Sequence, residues 1–329
     1  MRSTRVGWLL IALAAVAVVA SPGAPQPAAS SSARPSGAAA PNLTRPASTG
    51  GYRATTLPPL SAFSVLQMNL CNSGFARCYA GGQSVPEATA VIAVRRPDVV
   101  TLNEICQGDS EGALAQAMER AWPADRVFTA FQPAWDKRRN SPYLCANGQQ
   151  YGIAVMGHVA AADWAGVDIR GGIYPTQNPG TDEHRAWVCA YAIGNYYACT
   201  THLESDNGGV AMAQCQYLMD TAIPSVRAEL GGYLPTVIGG DFNMSYGGSP
   251  GVQDCVPSGW FRKGDGAVQQ VLAAGGFTFE SAQKLEMYHT DHPAWLVAIR
   301  TPAAAPAGPG EARPGGGQGS QLGRTRPAS

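Results

Sequence analysis

Five short apolar runs constrain the fold most, because each one borders residues able to bind a metal ion or transfer a proton. Runs of this length beside turn-forming residues are typical of buried β-strands. The runs and the polar residues beside them are 63–68 with Asn69, 98–102 with Glu104, 196–201 with His202, 236–240 with Asp241 and Asn243, and 294–299 with His289, Asp291 and His292. The sequence therefore predicts buried strands that are flanked by polar residues with possible metal-binding or proton-transfer roles.

Three helix-like segments alternate with these runs. They cover residues 85–96, residues 110–122 with Ser110 as the candidate N-cap, and residues 210–230 with an interruption at Pro224. Residues 188–201 instead predict an antiparallel hairpin that turns at Gly194 and Asn195. Strands that alternate with helices, together with a hairpin, favour an α/β fold with a mixed sheet over a pure β-sandwich.

Both ends of the chain differ in composition from its centre. Two arginines precede an apolar stretch over residues 6–20 that ends in small residues, which predicts a cleavable secretory signal, residues 1–20. A retained membrane anchor is the alternative, but the stretch is shorter than the roughly 20 residues that a transmembrane helix needs. Residues 21–60 and 301–329 are poor in large apolar residues, so we predict a disordered linker and tail. Residues 61–300 remain as one domain.

Eight cysteines lie inside this domain. An even number of cysteines behind an export signal predicts disulfides and an extracellular destination. A zinc site is the alternative, but the chain contains no Cys-x-x-Cys pair. Many connectivities are open, and we expect sequential pairing: Cys71 with Cys78, Cys106 with Cys145, Cys189 with Cys199, and Cys215 with Cys255.

The charge balance gives no global signature of nucleic-acid binding. Lys plus Arg and Asp plus Glu both number 23, so the formal net charge is zero. Residues 136–140, Asp-Lys-Arg-Arg-Asn, form a candidate basic patch, although a solvated loop is the simpler interpretation. A local cleft rather than the total charge therefore has to meet any charged substrate.

The polar residues at the strand ends gain meaning as a set. An Asn or Asp after a strand is most often a turn former, and that interpretation fits Asn69 taken alone. Asp241 and Asn243, however, have an i, i+2 spacing that directs both side chains to one face of an extended segment. The two glycines before them allow close approach of a substrate or of another backbone, although a simple bulge explains them too.

A cluster of carboxylates, an amide and imidazoles is suited to the hydrolysis of phosphate esters. Oxygen ligands favour Mg²⁺ or Ca²⁺, which stabilises charge on a phosphate in the transition state. Two histidines, with pKa values intrinsically near neutral pH, can divide proton transfer between water and the leaving oxygen. Arg185 is a candidate for bidentate phosphate binding, and a surface ion pair is its alternative.

These residues occur in an order that resembles the endonuclease/exonuclease/phosphatase superfamily. The matching segments are Asn69, 98–104 (Asp-Val-Val-Thr-Leu-Asn-Glu), 151–155 (Tyr-Gly-Ile-Ala-Val), Arg185, 201–203 (Thr-His-Leu), 240–243 (Gly-Asp-Phe-Asn) and 290–293 (Thr-Asp-His-Pro). The resemblance covers nearly the whole domain, from residue 63 to residue 299. It implies an α/β fold, a four-layered α-β-β-α sandwich with two mixed β-sheets and a site at one end.

The resemblance also implies a role for each site residue. Glu104 resembles the principal metal ligand with Asn69 beside it, Asp291 a further acidic residue of the metal site, Asp241 and Asn243 the pair that positions water and the scissile phosphate, and His202 and His292 the catalytic imidazoles. Members usually carry an Asp that orients the final His, in a strand that has no counterpart between Asn243 and Asp291. We take Asp265 as its substitute, with a turn Asp as the alternative.

Tyr151 departs from the pattern of the superfamily as well. It directly precedes Gly152, whereas members with a catalytic tyrosine place one residue between the two. Core packing is therefore the assignment that we prefer for Tyr151.

The resemblance implies a phosphodiesterase that uses Mg²⁺, Ca²⁺ or Mn²⁺. The export signal and the cysteines predict that it is secreted, and we expect a monomer that needs no obligate protein partner. DNA or RNA outside the cell is the expected substrate, because the Gly-Asp-Phe-Asn form and the paired histidines resemble deoxyribonuclease-type members. A sphingomyelinase or phospholipase-like enzyme and a catalytically silent binding module are the alternatives. A zinc hydrolase that uses His289, Asp291 and His292 is less favoured, because adjacent residues of an extended segment point apart.

Overall fold

The computed structural model describes residues 62–232 and 235–300 of the 329-residue chain. The predicted signal peptide, residues 1–20, the linker, residues 21–60, and the tail, residues 301–329, lie outside the described residues, and these three predictions stay untested. Within the described ranges, no helix has both the length and the hydrophobicity needed to cross a membrane.

The strands form two large sheets and one small sheet. In chain order they are β1 (Phe63–Asn69), β2 (Val99–Cys106), β3 (Asp125–Pro133), β4 (Trp135–Asp136), β5 (Ser141–Pro142), β6 (Tyr151–Ala160), β7 (Val167–Ile173), β8 (Glu183–His184), β9 (Ala186–Ala192), β10 (Tyr196–His202), β11 (Thr236–Asp241), β12 (Phe261–Gly264), β13 (Gln269–Ala274), β14 (Thr278–Leu285) and β15 (Ala294–Arg300). The sheet orders are β14-β15-β1-β2-β6-β3, β12-β13-β11-β10-β9-β7 and β5-β4-β8. Because β1 and β10 each have one parallel and one antiparallel neighbour, both large sheets are mixed, as predicted.

The helical segments lie between the strands in sequence. They are α1 (Ser84–Arg95), α2 (Gln107–Asp109), α3 (Ala115–Ala121), α4 (Gly208–Tyr217) and α5 (Ile223–Leu230), with π-helical turns at Ser110–Leu114 and Leu218–Ala222 and 3₁₀ turns at Ala161–Asp163 and Val252–Asp254.

Three hydrophobic cores join four layers. Val65 and Val237 belong to the core between the two large sheets. Leu66, on the other face of β1, shares a core with Ile92 of α1, and Ile238 shares one with residues of α5. Successive side chains of a strand point to opposite faces, so strands buried on both faces appear as continuous apolar runs. The predicted four-layered sandwich is confirmed.

The second predicted helix begins earlier than the sequence suggests. It runs without interruption from Gln107 through α2, the π-helical turn Ser110–Leu114 and α3. Ser110 therefore lies inside the helix, where its Oγ donates to the carbonyl of Gln107 at 2.8 Å. The prediction of Ser110 as the N-cap is wrong, because a serine hydroxyl can bond back to its own helix as readily as it caps one.

The third predicted helix continues past Pro224 instead of breaking. Asn207 caps its start by accepting hydrogen bonds from the backbone N–H groups of Gly209 and Val210. Pro224 stands in the first turn of α5, directly after the π-helical turn Leu218–Ala222. Proline is tolerated there because its missing N–H falls where the regular hydrogen-bond ladder is already interrupted.

The predicted hairpin and disulfides are both present. β9 and β10 pair antiparallel, with Tyr196 opposite Ala192 on either side of the turn. The eight cysteines form the four sequential pairs that we expected, Cys71–Cys78, Cys106–Cys145, Cys189–Cys199 and Cys215–Cys255. The first two pairs hold the segments that follow β1 and β2, which carry site residues at their ends.

Candidate active site

The topology brings the predicted site residues to one end of the sandwich. Asn69, His202 and Asp241 are the last residues of β1, β10 and β11. β1 is parallel to β2 and β10 is parallel to β11, so the carboxyl ends of each pair meet at one edge. His292 precedes β15, and because β15 is antiparallel to β1, its start lies at the same end. There a hydrogen bond of 3.1 Å from Asn69 to Asp241 joins the two sheets.

Glu104 lies inside β2, whereas the sequence predicts it two residues beyond a strand. The pairing of β2 with β6 shifts between Leu102 and Ile105. Glu104 itself has a left-handed φ of 53°, which residues other than glycine adopt uncommonly. An irregularity of this kind turns a side chain away from its regular direction. Here it accompanies a hydrogen bond of 2.9 Å from Asn69 Nδ2 to Glu104 Oε1.

Asn69 holds two carboxylates together. Its Nδ2 donates both to Glu104 Oε1 at 2.9 Å and to Asp241 Oδ2 at 3.1 Å. Its Oδ1 accepts a hydrogen bond from the backbone N–H of Cys71 at 3.1 Å. The sequence predicts Asn69 as a metal ligand, but in this arrangement its nitrogen faces the carboxylates. The contacts of Asn69 are those of a residue that positions Glu104 and Asp241.

Glu104 is the side chain best suited to a cation. Burial raises its pKa to about 7, the hydrogen bond from Asn69 lowers it, and the charge of Glu183 raises it further. A buried carboxylate with little compensation favours a divalent cation that prefers oxygen ligands. Asp291 is more peripheral, with a side chain that is 55% exposed.

Within residues 62–232 and 235–300, Glu104 does not belong to a compact cluster of three or more ionisable ligands. Among the described residues, the three potential ligand atoms that lie within 4.8 Å of one another belong to Cys71, Cys78 and Asp291. The two cysteines form a disulfide and cannot bind a metal ion as thiolates. A cation at Glu104 would therefore complete its coordination with oxygens from water or substrate, as Mg²⁺ commonly does.

Asp241 and Asn243 meet through a turn instead of along a strand. β11 ends at Asp241, and Asn243 has a left-handed φ of 48°. The backbone N–H of Asn243 donates to Asp241 Oδ1 at 3.0 Å, and its side-chain Nδ2 donates to the carbonyl of Leu203 at 2.8 Å. Gly239, two residues before Asp241, permits close packing of β11 against β2, because a Cβ there would collide with Thr101. The predicted extended geometry is therefore wrong, because β11 ends at Asp241 and Asn243 is left-handed, and the two residues meet through the backbone N–H of Asn243.

His292 stands on a loop that is fixed at two points. Thr290 Oγ1 donates to the carbonyl of Asn69 at 2.8 Å, and His289 Nδ1 lies 3.0 Å from Glu87 of α1. Between these anchors and β15, the Nε2 of His292 lies 3.5 Å from Asp241 Oδ2 and 3.7 Å from Asp291 Oδ1. Since His289 is bound to Glu87, the contacts of the loop do not favour a zinc site made of His289, Asp291 and His292.

His202 lies beside a buried cation. Arg185 Nη1 is 3.0 Å from His202 Nδ1, and the same nitrogen donates to Glu183 Oε1 at 2.7 Å. Burial, together with the charges of Arg185 and His292, lowers the pKa of His202 well below its usual value. His202 Nε2 is also 4.0 Å from Glu104 Oε1. His202 is therefore an uncharged imidazole at neutral pH, and Arg185 can only donate to it.

Arg185 is buried rather than on the surface, and it is already paired with a carboxylate of the site. Its residue exposure is 8%, and Glu204 Oε2 lies 3.9 Å from its Nε. Burial lowers the pKa of Arg185, but Glu183, Tyr151 and Glu204 more than offset that effect and raise it. The predicted surface ion pair is thus a buried one. Glu183 and Glu204 are charged partners that the sequence patterns do not identify.

Tyr151 belongs to the wall behind this cluster. It is 3% exposed and shares a hydrophobic core with Cys106 and Ala134. Burial raises the pKa of its hydroxyl well above the usual value. A cavity of about 10 Å³, room for about one water, is lined in part by Tyr151, Glu183, Arg185 and His202. Core packing, the assignment preferred from the sequence, agrees with this burial.

Asp265 does not reach the histidines. In the described part of the chain, its carboxylate accepts a hydrogen bond of 2.7 Å from the backbone N–H of Ala267 in its own turn. The turn interpretation fits this contact, and the role of partner to His292 does not. Gln269 is instead the residue opposite Asp241 in the pairing of β11 with β13, and its Nε2 donates to Asp241 Oδ2 at 2.8 Å.

The sequence contains a weak signal for Gln269. Residues 267–274 are an apolar run broken by Gln269 and Gln270, and a strand there paired with β11 brings Gln269 to Asp241. Gln67 and Asn103 are two further buried amides in contact with this group. Polar residues inside apolar strands are informative because burial requires that they be hydrogen-bonded.

Comparison with known proteins identifies the fold through solved structures. No protein-family model and no curated protein matches the chain. An endonuclease/exonuclease/phosphatase from Beutenbergia cavernae is similar at 18% identity over 75% of this chain and 73% of that one, with a TM-score of 0.55. A family protein from Bacteroides thetaiotaomicron is similar at 13% identity over 74% and 96%, with a TM-score of 0.53.

A third similar structure is ANGEL2, described as a 2′,3′-cyclic phosphatase in complex with adenosine-2′,3′-vanadate. It is 14% identical over 73% of this chain and 96% of that one, with a TM-score of 0.51. Similarity at these identities concerns the fold. The motif order, the two mixed sheets and these structures agree, and the chain has the fold of the endonuclease/exonuclease/phosphatase superfamily.

Proposed function

We propose that this protein is an exported, divalent-metal-dependent phosphodiesterase that cleaves extracellular DNA or RNA. The observation that carries the proposal is the convergence of two imidazoles on two carboxylates that share one amide. His292 lies 3.5 Å from Asp241, His202 lies 4.0 Å from Glu104, and Asn69 donates to both carboxylates. Such a set can bind a cation, hold a phosphate and move a proton at one place.

Glu104 is the proposed holder of Mg²⁺, Mn²⁺ or Ca²⁺, with Asp291 as a further acidic residue at the edge of the site. When bound, the cation neutralises the phosphate and stabilises the negative charge that develops in the transition state. The raised pKa of Glu104 supports this role, because a nearby cation would favour the ionised carboxylate that burial disfavours.

His202 and His292 have different proposed roles because their surroundings differ. Arg185 donates to His202 Nδ1, which leaves the imidazole proton on Nε2, where it can be donated to a phosphate oxygen. His292 has the Asp241 carboxylate beside it, which can stabilise positive charge on the ring during proton transfer. We therefore assign phosphate binding to His202 and proton transfer to His292, with Asp241 and Asn243 positioning water and the scissile phosphate.

Three observations support an extracellular nucleic-acid substrate. Four disulfides suit a protein that works outside the cell. The Gly-Asp-Phe-Asn segment with paired histidines resembles deoxyribonuclease-type members, and one protein of similar fold is described with a nucleotide vanadate. A sphingomyelinase-like or phospholipase-like activity is the alternative, and assays on nucleic-acid and lipid substrates distinguish the two.

The test uses the full chain, stripped with a chelator and reloaded with Mg²⁺, Ca²⁺ or Mn²⁺. Supercoiled plasmid, RNA, sphingomyelin, an inositol phosphate and bis(p-nitrophenyl) phosphate are the substrates. We expect metal-dependent cleavage of the nucleic acids and the diester. We also expect losses of about 10²- to 10⁴-fold for His292→Ala and a comparable loss for Asp241→Ala.

Asp98→Asn is the matched control, because Asp98 is a partly buried carboxylate that precedes β2 and so lies at the opposite end of the sandwich. It should retain activity. Activity that survives chelation, or that is undiminished in both site variants, would contradict the proposal. Cleavage of sphingomyelin without plasmid or RNA cleavage would move the substrate to the lipid class, and a wild-type protein silent on every substrate would favour a binding module.

A further inference from the structure

We propose that Asp241 is the carboxylate that orients His292, and that Gln269 is a positioning residue that holds Asp241 for this task. The inference rests on the proposed phosphodiesterase function and adds to it the partner that the sequence does not reveal. It replaces a separate orienting Asp by the acidic residue of the Gly-Asp-Phe-Asn segment.

The Asp241 carboxylate is fixed from several directions. Oδ2 accepts hydrogen bonds from Gln269 Nε2 at 2.8 Å and from Asn69 Nδ2 at 3.1 Å, and it lies 3.5 Å from His292 Nε2. Oδ1 accepts from the backbone N–H of Asn243 at 3.0 Å. Asp241 is 1% exposed, so solvent does not compete for these positions. Among the three groups around Oδ2, only His292 stands on a loop.

A second layer of amides determines which end of Gln269 faces Asp241. Gln67 Nε2 donates to Gln269 Oε1 at 2.8 Å, which leaves the Gln269 nitrogen to donate to the carboxylate. Gln67 is itself held, because its Oε1 accepts from Thr101 Oγ1 at 2.5 Å and its Nε2 donates to Asn103 Oδ1 at 2.6 Å. Buried networks with every member satisfied are rigid, so this one can fix the carboxylate.

The same layer also fixes the backbone of Asp241. Asn103 Oδ1 accepts a hydrogen bond of 2.7 Å from the Asp241 N–H, and Asn103 Nδ2 donates to the carbonyl of Thr201 at 2.8 Å. Gln67, Asn103 and Gln269 all have no exposed surface. The network therefore links strands of both sheets directly beneath the site and contacts both the backbone and the side chain of Asp241.

The side chain at residue 269 is neutral, and this affects the Asp241 carboxylate that it contacts. A second carboxylate at hydrogen-bond distance from Asp241 in a buried site would repel it, and one of the two would have to take up a proton. An amide avoids that repulsion and donates a hydrogen bond to Asp241 Oδ2. Gln269 thus leaves one negative carboxylate close to the ring of His292 on this side, and that carboxylate can both hold the ring and stabilise charge on it.

The test is a double-mutant cycle on bis(p-nitrophenyl) phosphate with the full chain. Gln269→Leu removes the donor at similar volume, and Gln270→Leu is the matched control, since Gln270 is 1% exposed, is adjacent in β13 and faces the other way. We expect Gln269→Leu to lower kcat about 10- to 100-fold with little change in KM. In a His292→Ala background the same substitution should cost less than about 3-fold, because its effect acts through His292.

Ring ¹⁵N chemical shifts give a readout that does not need catalysis. Gln269→Leu should change the shifts of His292 and leave those of His158 unchanged, and Gln270→Leu should change neither. Equal losses of kcat in the wild-type and His292→Ala backgrounds, or unchanged His292 shifts, would overturn the inference. A wild-type chain without phosphodiesterase activity would refute the proposed function, and the shifts would still decide the position of His292. If Gln269→Leu fails to melt cooperatively, Gln269→Met is carried through the same measurements.

Discussion

The two ends of the sandwich both hold a histidine beside carboxylates. At one end the histidine has close partners on both ring nitrogens, and at the other end the polar groups have fewer or more distant partners. At the far end, His158 Nδ1 lies 2.7 Å from Asp125 and its Nε2 lies 3.3 Å from Asp98. Its ring stacks on Trp122 with 3.7 Å between centroids. Both nitrogens and one face of the ring are thus occupied, as expected for a histidine that stabilises the fold.

At the site end, the polar groups have fewer hydrogen-bond partners, and some partners are shared. One nitrogen of Asn69 serves both Glu104 and Asp241, and His292 approaches a carboxylate with one nitrogen at 3.5 Å. The Nε of Arg185 and the Oε2 of Glu204 are buried without a hydrogen-bond partner. Groups that a fold leaves unsatisfied reduce its stability and remain available to a ligand. The difference between the ends therefore separates a structural from a functional cluster.

The largest expected effect comes from exchanging the two histidines for glutamine. His292→Gln should lower kcat on plasmid DNA or bis(p-nitrophenyl) phosphate by about 10² to 10⁴, because glutamine cannot transfer a proton. His158→Gln should retain most activity and lower the free energy of unfolding by about 1–3 kcal/mol, because it loses hydrogen bonds to charged groups. Steady-state rates and urea denaturation of both variants measure the two effects.

Similar behaviour of His292→Gln and His158→Gln would contradict the distinction between a functional end and a structural end. Loss of activity in a well-folded His158→Gln would mean that the far end takes part in the reaction. A strong loss of stability in His292→Gln would mean that the loop before β15 is held by its histidine rather than by Thr290 and His289.

The strands and several of the site residues could be predicted from short segments of the sequence. Asn69, His202 and Asp241 end strands whose apolar runs are visible in the sequence, and parallel pairing then brings strand ends together. Two of the cysteine pairs are separated by 7 and 10 residues, and the other two by 39 and 40 residues. The strands, the mixed α/β class and the polar strand ends therefore follow from information that lies within a few residues of each position, whereas the four-layered sandwich and the roles of the site residues come from the resemblance to the superfamily.

The partners of those residues could not be predicted in the same way. Gln269 bonds to a residue 28 positions earlier, and Asn69 bonds to one 172 positions later. Such contacts depend on the register of paired strands and on how the two sheets face each other, which local patterns do not specify. The left-handed conformation of Glu104 is equally hidden, since no glycine marks it. An acidic residue such as Asp265 is visible in the sequence as a candidate partner of His292, whereas a neutral residue such as Gln269 is not.

The second effect concerns the charges around Arg185. Arg185→Met should lower the free energy of unfolding by about 3–5 kcal/mol, because it leaves Glu183 and Glu204 near each other without their cation. Arg170→Met is the matched control, because the pair of Arg170 with Glu229 is exposed and its loss should leave the melting temperature nearly unchanged. Calorimetry of both variants measures the change in melting temperature and in the free energy of unfolding. An equal response would show that the site end is no more dependent on its ion pair than the surface is.

The smallest effect is the pH dependence that Glu104 imposes on the metal-free protein. Its pKa is about 7 in the fold and about 4.5 in the unfolded chain, so between these values the folded state binds the proton more tightly. Stability from this group is therefore full below pH 4.5, falls as the pH rises, and is lost above pH 7, by roughly 3 kcal/mol at most.

Glu104→Gln removes that dependence and sharpens the comparison of the two ends. In a chelator at pH 8 the variant should be more stable than the wild type, and at pH 4.5 the two should be equal. Exposed Glu119→Gln serves as the control and should follow the wild type at both values. Addition of Mg²⁺ at pH 8 should stabilise the wild type and not Glu104→Gln, because the cation offsets the charge that burial disfavours. A wild type that is as stable as Glu104→Gln at pH 8 without metal would mean that Glu104 already has sufficient partners in the fold. The site end would then be as closed as the end that holds His158.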